Sequence, residues 1–398
     1  MTSTVYIAKN VYGGDGLGRL GDGRVVFVPG AFAGESVRAE LVEERRSFVR
    51  ARLVEVLEPS ADRIASPVGP VPGMVYADLS YPAELAAKEA QLAEALERAR
   101  LVPRSFGRIG EPLSPLNYRN QVVYHFAKQS GGWAIGYRRE PGHEIVDVAE
   151  DPLARPEINA RLPEVRGHVL RLLTQGAESV RRDVERSGCV TLRWSARSGV
   201  KWWVGRAPEG LFMKEETCGR VFEVPSDGFY QVNPEAGERL VAAAAAEYSA
   251  GAAAAPDILD LYCGVGVFGI CCARPGARLT GVESGRQAVD SARRNAAACG
   301  VEARFFSALV GRSLAKLPAG PRTTVLVDPP RGGLEMRVPE WLARSGVPRV
   351  IYVSCDPATL VRDLRVICRS FDIASVKWID MFPRTARFET LVTLERKA

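Results

Sequence analysis

Four stretches in the C-terminal half of this chain carry side chains able to do chemistry, and each follows an apolar run. Asp260-Leu-Tyr-Cys-Gly264-Val-Gly266-Val-Phe-Gly269 has the Gly-x-Gly-x-x-Gly spacing that lets a backbone turn tightly and approach a ligand closely. Glu283 closes the next run, 283 − 264 = 19 residues on, the interval at which a carboxylate meets ribose hydroxyls. Those two features fit a nicotinamide cofactor as well as S-adenosylmethionine, and an ordinary packing turn also has this spacing. Asp328-Pro-Pro-Arg331-Gly-Gly sets an acid at the end of a third run, followed by prolines that stop the strand and stiffen the loop. A hydride-transfer enzyme has no need of it. Ser354-Cys355-Asp356-Pro357 ends a fourth run on a thiol. An isolated cysteine in such a place is commonly a buried, inert residue. Four consecutive run ends bearing useful groups point instead to a nucleophile at the mouth of a ligand crevice.

These groups need a scaffold that delivers strand ends to one edge. From residue 227 apolar strands alternate with helical stretches, which predicts a doubly wound parallel α/β sheet. Its strands are expected at 257–262, 278–283, 323–328 and 349–355, with a late pair around 375–382 and 388–396. Asn233 and Pro234 offer an N-cap and a first-turn proline for a helix through the alanine run at 242–246. Residues 1–60 alternate β-branched runs with turn signals at the spacing of a small β-barrel. Residues 64–76, rich in proline and glycine, read as a linker, and one amphipathic helix with Leu85, Leu92 and Leu96 on a single face follows. From about 113 to 226, short strands and turns predict an antiparallel sheet with a helix around 156–175. The expected domains are a barrel at 1–60, a central α+β domain at 69–226 and the α/β domain at 227–398.

The 398 residues exceed the usual span of one domain, and 46% hydrophobic with 25% charged residues excludes a disordered or collagen-like chain. No apolar run approaches the roughly 18 residues of a spanning helix, and the opening residues have no secretory pattern, so a soluble, cytoplasmic protein without a membrane partner is expected. The net charge, 53 − 47 = +6, permits nucleic-acid binding without demanding it. Arg38, Arg45, Arg46, Arg50 and Arg52 crowd onto the barrel, either as a solvated strand face or as a strip facing RNA. Eight cysteines without a secretory leader favour thiols over disulfides, and none forms a C-x-x-C pair. The three histidines, none at ligand spacing and none beyond His168, give no signal for zinc, an iron–sulfur cluster or a histidine-activated nucleophile. No metal site is expected.

In order, FYQVN (229–233), DLYCGVGVFG (260–269), DPPRGG (328–333), YVSCDPATLVRDL (352–364) and DMFPRTARFETL (380–391) make the chain resemble the class I RNA 5-methyluridine methyltransferases, bacterial uracil-C5 enzymes of ribosomal and transfer RNA. The likeness extends to the N-terminal barrel, which is similar to an OB-like TRAM domain, and to GYRREPGHEIVDV (136–148), so it covers nearly the whole chain. It implies a Rossmann-like methyltransferase domain, Cys355 as nucleophile and Glu389 as base. It also implies that Gln231, Tyr262, Glu283 and Asp328, beside Gly264 of the glycine loop, contact S-adenosylmethionine. Relatives with a four-iron cluster hold cysteines where this chain reads GMVYADLSY (73–81), so the cluster is expected to be absent. Val267 stands where many members have asparagine, Ser307 where several have aspartate, and Arg387 in place of a histidine two residues before the base. These departures bear on affinity and substrate choice more than on the reaction. The TRAM-like barrel favours ribosomal over transfer RNA as the substrate, and a monomer is expected.

The implied chemistry suits these residue types. Carbon 5 of uracil is too weakly nucleophilic to attack a methyl sulfonium directly. A thiolate adding to carbon 6 turns the ring into an enolate whose carbon 5 can take the methyl group, and a carboxylate then removes the carbon 5 proton so that the cysteine leaves. The target base must first leave its stack. Amino-methylating enzymes favour an aromatic residue after the paired prolines, where Arg331 stands. A 5-methylcytosine RNA enzyme would also use a cysteine, but the terminal FETL segment with its glutamate fits the uracil group better. A non-catalytic RNA assembly factor would have no use for both Cys355 and Glu389, and hydride transfer rests on the glycine loop alone.

Overall fold

The computed structural model describes residues 1–66, 68–69, 71–139, 142, 144–251, 253 and 256–398. Pro67 and Pro70 of the linker, and Glu140, Pro141 and His143 of the GYRREPGHEIVDV stretch, lie outside the described residues. The chain forms two compact units, residues 1–95 with 382–388 and residues 96–381 with 389–398.

In the first unit β1 (Thr2–Asn10), β2 (Gly16–Arg19), β3 (Val25–Val28), β4 (Ser36–Glu44) and β5 (Phe48–Glu58) close into a barrel in the order β1-β2-β3-β5-β4. Alternation of side chains drives the closure. Val5, Ile7, Val26, Val28, Val37 and Val49 form the buried interior, and residues between them face water. The helix α1 (Tyr81–Arg98) follows, with Leu85, Leu92 and Leu96 buried as their spacing predicts.

The second unit opens with β6 (Phe106–Arg108). Its antiparallel sheet comprises β7 (Gln121–Gln129), β8 (Gly132–Arg138), β9 (Ile145–Asp147), β10 (Cys189–Ser195) and β11 (Gly199–Val204) in the order β11-β10-β7-β8-β9. Between its strands α2 (Pro156–Gln175) buries Ile158, Leu162, Val165, Val169 and Leu173 on one face. The next helix, α3 (Glu178–Ser187), has no counterpart in the sequence reading, because ESVRRDVERS buries only Val184 and carries almost no apolar signal. A hairpin of β12 (Phe212–Thr217) and β13 (Arg220–Pro225) completes this part.

The remaining strands are β14 (Asp257–Leu261), β15 (Leu279–Glu283), β16 (Ala303–Ser307), β17 (Thr323–Val327), β18 (Arg349–Ser354), β19 (Phe371–Ile379) and β20 (Glu389–Arg396). With β6 they form one eight-stranded sheet ordered β16-β15-β14-β17-β18-β20-β19-β6. The strands from β16 to β18 are parallel, whereas β20 runs antiparallel to both β18 and β19. Helices α4 (Pro234–Gly251), α5 (Val267–Cys272), α6 (Arg286–Ala298), α7 (Val310–Ser313), α8 (Arg337–Arg344) and α9 (Pro357–Ile367) make this the doubly wound architecture that the sequence predicts. Asn233 caps α4, its Oδ1 accepting the Ala236 amide at 3.2 Å. Two edge strands, β16 and β6, are absent from the sequence reading: β16 buries only Phe305 and β6 has three residues. Strand β19 starts at Phe371 rather than 375, since a bulge between Ile373 and Ser375 breaks the alternation there.

Segment 382–388 belongs to the first unit and is held by charge buried on α1. Glu84 and Lys88 are fully buried and paired at 2.7 Å. The Arg384 amide donates to Glu84 at 2.7 Å, and its Nη1 donates to the Leu79 carbonyl at 2.7 Å and lies 3.5 Å from Glu84. One carboxylate thus faces two cations, and Lys88 also donates to the Phe382 carbonyl at 3.3 Å. Glu84→Gln removes a buried negative charge that faces both cations, at an expected cost of about 3–5 kcal/mol. Urea unfolding should show the loss as a lower midpoint with unchanged slope, and an unshifted midpoint would contradict this account.

Candidate active site

Because β15, β14, β17 and β18 run parallel and side by side, their carboxyl ends form a row containing Glu283, the loop from Tyr262 to Gly266, Asp328 and Cys355. Strand β20 runs the opposite way beside β18, with Ser354 opposite Thr390, so its first residue, Glu389, enters the row next to Cys355.

The glycine loop turns through left-handed backbone: Tyr262 has φ 63°, Gly264 53° and Gly266 87°. A side chain on Gly266 would also meet Ile270 Cδ1 at 2.9 Å. Asp260, one turn behind, braces the loop from within by accepting the Gly269 amide at 3.0 Å, and burial pushes its carboxyl up to about 8. Glu283 accepts from Gly285 N at 2.7 Å, Ser284 Oγ at 2.9 Å and Gly264 N at 3.4 Å, which ties it to the loop. Ser307 pairs opposite Glu283 on β16. The Tyr262 hydroxyl accepts the Glu335 amide at 3.4 Å, and burial pushes that phenol up to about 12.

At the other end of the row, Cys355 is half-buried and Glu389 only 5% exposed. Burial pushes the Cys355 thiol up to about 12; the carboxylates of Glu389, Asp328 and Asp356 add to the shift and the Arg331 guanidinium opposes it. Burial, then Asp328, holds Glu389 well above the usual carboxylate range, again against Arg331. Burial alone raises Asp328 to about 7. At neutral pH the row therefore holds a neutral thiol beside a carboxyl pushed towards its neutral form by burial, and the Arg331 guanidinium favours the ionised form of each. The sequence reading met Arg331 only as a residue displacing an aromatic one. Its place in Asp-Pro-Pro-Arg-Gly-Gly, directly beyond a strand end, was the available signal.

The structure thus brings Cys355, Glu389 and Asp328 together, and joins Gly264 to Glu283. Gln231 stands on a separate segment strung between two anchors. Arg193, buried on β10 and paired with Glu215 at 3.1 Å, donates Nη1 to the carbonyls of Pro225, Ser226 and Gly228 at 3.3, 3.1 and 2.8 Å. Asn120 donates its amide to Val232 O at 2.8 Å and its Nδ2 to Gln231 O at 3.3 Å. Between the anchors Phe229 is 73% exposed.

In the first unit, four of the five barrel arginines are already paired: Arg38 with Glu55 at 2.9 Å, Arg45 with Glu43 at 2.7 Å, Arg50 near Asp15 at 3.8 Å, and Arg52 with Glu40. Arg46 makes no ion pair with a described residue. Arg387 donates to the Tyr12 hydroxyl at 3.1 Å, and Phe388 packs edge-on against the same ring. Among the described residues no group of three or more His, Cys, Asp or Glu could hold a metal ion, and no helix is long and apolar enough to cross a membrane.

Comparison with known proteins bears on the family and the fold. The family profile for tRNA (uracil-5-)-methyltransferase matches residues 216–397, and that for the TRAM domain matches residues 2–54. An uncharacterized RNA methyltransferase of Gloeobacter violaceus is 30% identical over 99% of this chain and 96% of its own. The 23S rRNA (uracil(1939)-C(5))-methyltransferase RlmD of Aeromonas hydrophila is 28% identical over 96% of this chain and 93% of its own. The same fold occurs in the Pyrococcus abyssi tRNA (uracil-54, C5)-methyltransferase, solved with S-adenosyl-L-homocysteine, at a TM-score of 0.72 and 23% identity over 98% of this chain and all of that one. With its motifs, its row of strand ends and a relative matching along nearly its whole length, the chain belongs to the S-adenosylmethionine-dependent RNA uracil-C5 methyltransferases.

Proposed function

We propose that this enzyme methylates a uridine of 23S ribosomal RNA through a covalent adduct in which Cys355 adds to carbon 6 of the ring and Glu389 removes the carbon 5 proton. The observation that carries this reading is the β18–β20 register, which sets the thiol and the buried carboxyl at one point of the sheet edge. As the S–C6 bond forms, the C5=C6 electrons move to the C4 carbonyl oxygen, which takes up the proton that the Cys355 S–H gives up. After carbon 5 has been methylated, Glu389 takes the C5 proton, the C5=C6 bond re-forms and the S–C6 bond breaks.

S-adenosylmethionine supplies an electrophilic methyl group on a cationic sulfur. Tyr262, Gly264, Glu283, Asp328 and Gln231 are the residues we assign to hold it. A dry, acid-rich row fits a ligand that brings positive charge, since a cation there favours ionised Asp328 and the Cys355 thiolate. Arg331 acts in the same direction on Cys355 and Glu389.

Ribosomal RNA is favoured by the TRAM barrel and by the likeness to a relative named for 23S rRNA. Residues 1–60 are read as the RNA-holding module, residues 69–226 as the central domain and residues 227–398 as the methyltransferase domain, working as a cytoplasmic monomer. On the barrel Arg46 has a guanidinium free of described ion pairs, and Arg38, Arg45 and Arg52 can exchange exposed carboxylate partners for phosphates at small cost, with Arg50, near the half-buried Asp15, beside them. The shared fold of an enzyme named for transfer RNA supports a second reading, a transfer-RNA uridine. Mapping 5-methyluridine in both RNAs from cells with and without the protein decides: loss from 23S RNA supports the proposal, and loss from transfer RNA replaces it.

Two variants test the covalent route. Cys355→Ala should abolish methyl transfer and keep S-adenosylmethionine binding by calorimetry. Glu389→Gln should accumulate a protein–RNA adduct that survives denaturation and is absent from Cys355→Ala; normal turnover in either variant removes that residue from the mechanism. The raised thiol makes a separate prediction for the RNA-free enzyme. Cys355 alkylation by iodoacetamide, followed by peptide mass spectrometry, should quicken about tenfold per pH unit between pH 7 and 9 without a plateau, and a plateau in that window would place the thiol near its ordinary range.

A further inference from the structure

The loop that carries Arg331 is fastened to α9, the helix that begins just after Cys355. Thr359 Oγ1 donates to Arg331 O at 3.4 Å. Arg362 Nη2 donates to the carbonyls of Gly332 at 2.9 Å and Leu334 at 3.2 Å. Asp363, 2% exposed, uses both carboxylate oxygens: Oδ1 accepts from Arg362 Nε at 2.9 Å, and Oδ2 accepts the Leu334 amide and the Tyr352 hydroxyl, each at 2.8 Å. The fit is tight on the loop side too. Gly333 has φ 74°, and a Cβ there would lie 2.6 Å from Arg362 Nη2 and 2.8 Å from Asp363 Oδ2.

We propose that Asp363, with Arg362, is a positioning residue for methyl transfer, clamping the 331–335 loop to α9 so that Arg331 acts on Cys355 and Glu389. This rests on the reading of Cys355 as nucleophile. The charged groups acting on Cys355 are Glu389 from β20, Asp328 from the end of β17, Asp356 at the start of α9, and Arg331. Three are acids that disfavour a thiolate, and the Arg331 guanidinium opposes them. Since α9 is joined to Cys355 at its N-terminus and holds the backbone of the Arg331 loop along its side, the helix links the thiol to the point from which the Arg331 side chain extends. The buried acid is shared between Tyr352 of β18 and the Leu334 amide of the loop, so it ties the loop to the sheet as well as to α9.

The test compares Asp363→Asn, Gly333→Ala, Arg331→Met and the Asp363→Asn/Arg331→Met pair in the full-length enzyme. Melting temperature and S-adenosylmethionine calorimetry serve as fold controls, with Cys355 alkylation and kcat as readouts. Asp363→Asn and Gly333→Ala should each slow alkylation at pH 8.5 by roughly three- to tenfold, up to one unit of thiol pKa, with a parallel fall in kcat and the KM for S-adenosylmethionine little changed. In the Arg331→Met background Asp363→Asn should add nothing further. Unchanged alkylation in both single variants, or the full Asp363→Asn effect persisting without Arg331, would reduce Asp363 to a structural acid. Gly333→Ala leaves the Asp363–Arg362–Tyr352 bonding groups intact, and it decides alone if Asp363→Asn fails to fold. Turnover by Cys355→Ala would sink the nucleophile assignment and leave the alkylation result standing, so the two failures are distinguishable.

Discussion

The antiparallel pairing of β20 with β18 is the constraint on which the site depends. Strand β18 runs towards the sheet edge and ends at Ser354, and β20 leaves that edge from Glu389. A parallel strand in the same place would start at the opposite edge, about 20 Å away at the usual rise per residue. One reversal of direction in an otherwise parallel run therefore joins a thiol and a carboxyl that lie far apart in the chain. The neighbouring parallel strands then add Asp328, the glycine loop and Glu283 on the same side.

That juxtaposition is made in a place where charge is poorly tolerated. Asp260, Asp328, Glu389 and Cys355 are all pushed towards their neutral forms, with burial the largest cause in each case. Asp260 is offset by the Gly269 amide and serves the architecture. The other three act on one another, and the Arg331 guanidinium opposes the shifts of both Cys355 and Glu389. Its loop is held by side chains of α9, whose first turn is capped by Asp356 through the amides of Ala358 and Thr359. The electrostatics of the site therefore depend on helix packing as much as on the residues at the strand ends.

The first unit uses charge in two contrasting ways. On the barrel surface Arg38, Arg45 and Arg52 pair with exposed glutamates, interactions that contribute little to stability and are easily exchanged. On α1, Glu84 and Lys88 are fully buried together with Arg384, and there the loss of one partner is felt away from water, where charge is costly. The barrel's own stability comes from its aliphatic interior rather than from its surface arginines.

Local signals in the sequence were enough to read the doubly wound domain, the N-terminal barrel, the Asn233 cap and the helix at 156–175, because apolar periodicity and turn chemistry act over a few residues. They also marked Cys355, Asp328 and Glu283 as run-end residues, since a strand's end shows in the chain as the point where an apolar run stops. The edge strands β16 and β6 and the charged helix α3 escaped, for each buries too little apolar surface to leave a pattern. Other features belonged to the tertiary structure alone: the meeting of Cys355 with Glu389, the pairing of the barrel arginines, and the grip of Asp363 on the Arg331 loop. Strand register and side-chain burial decide these, and both arise from contacts between residues remote in the chain, so the ionisation of the row could be read only once those contacts had excluded water from it.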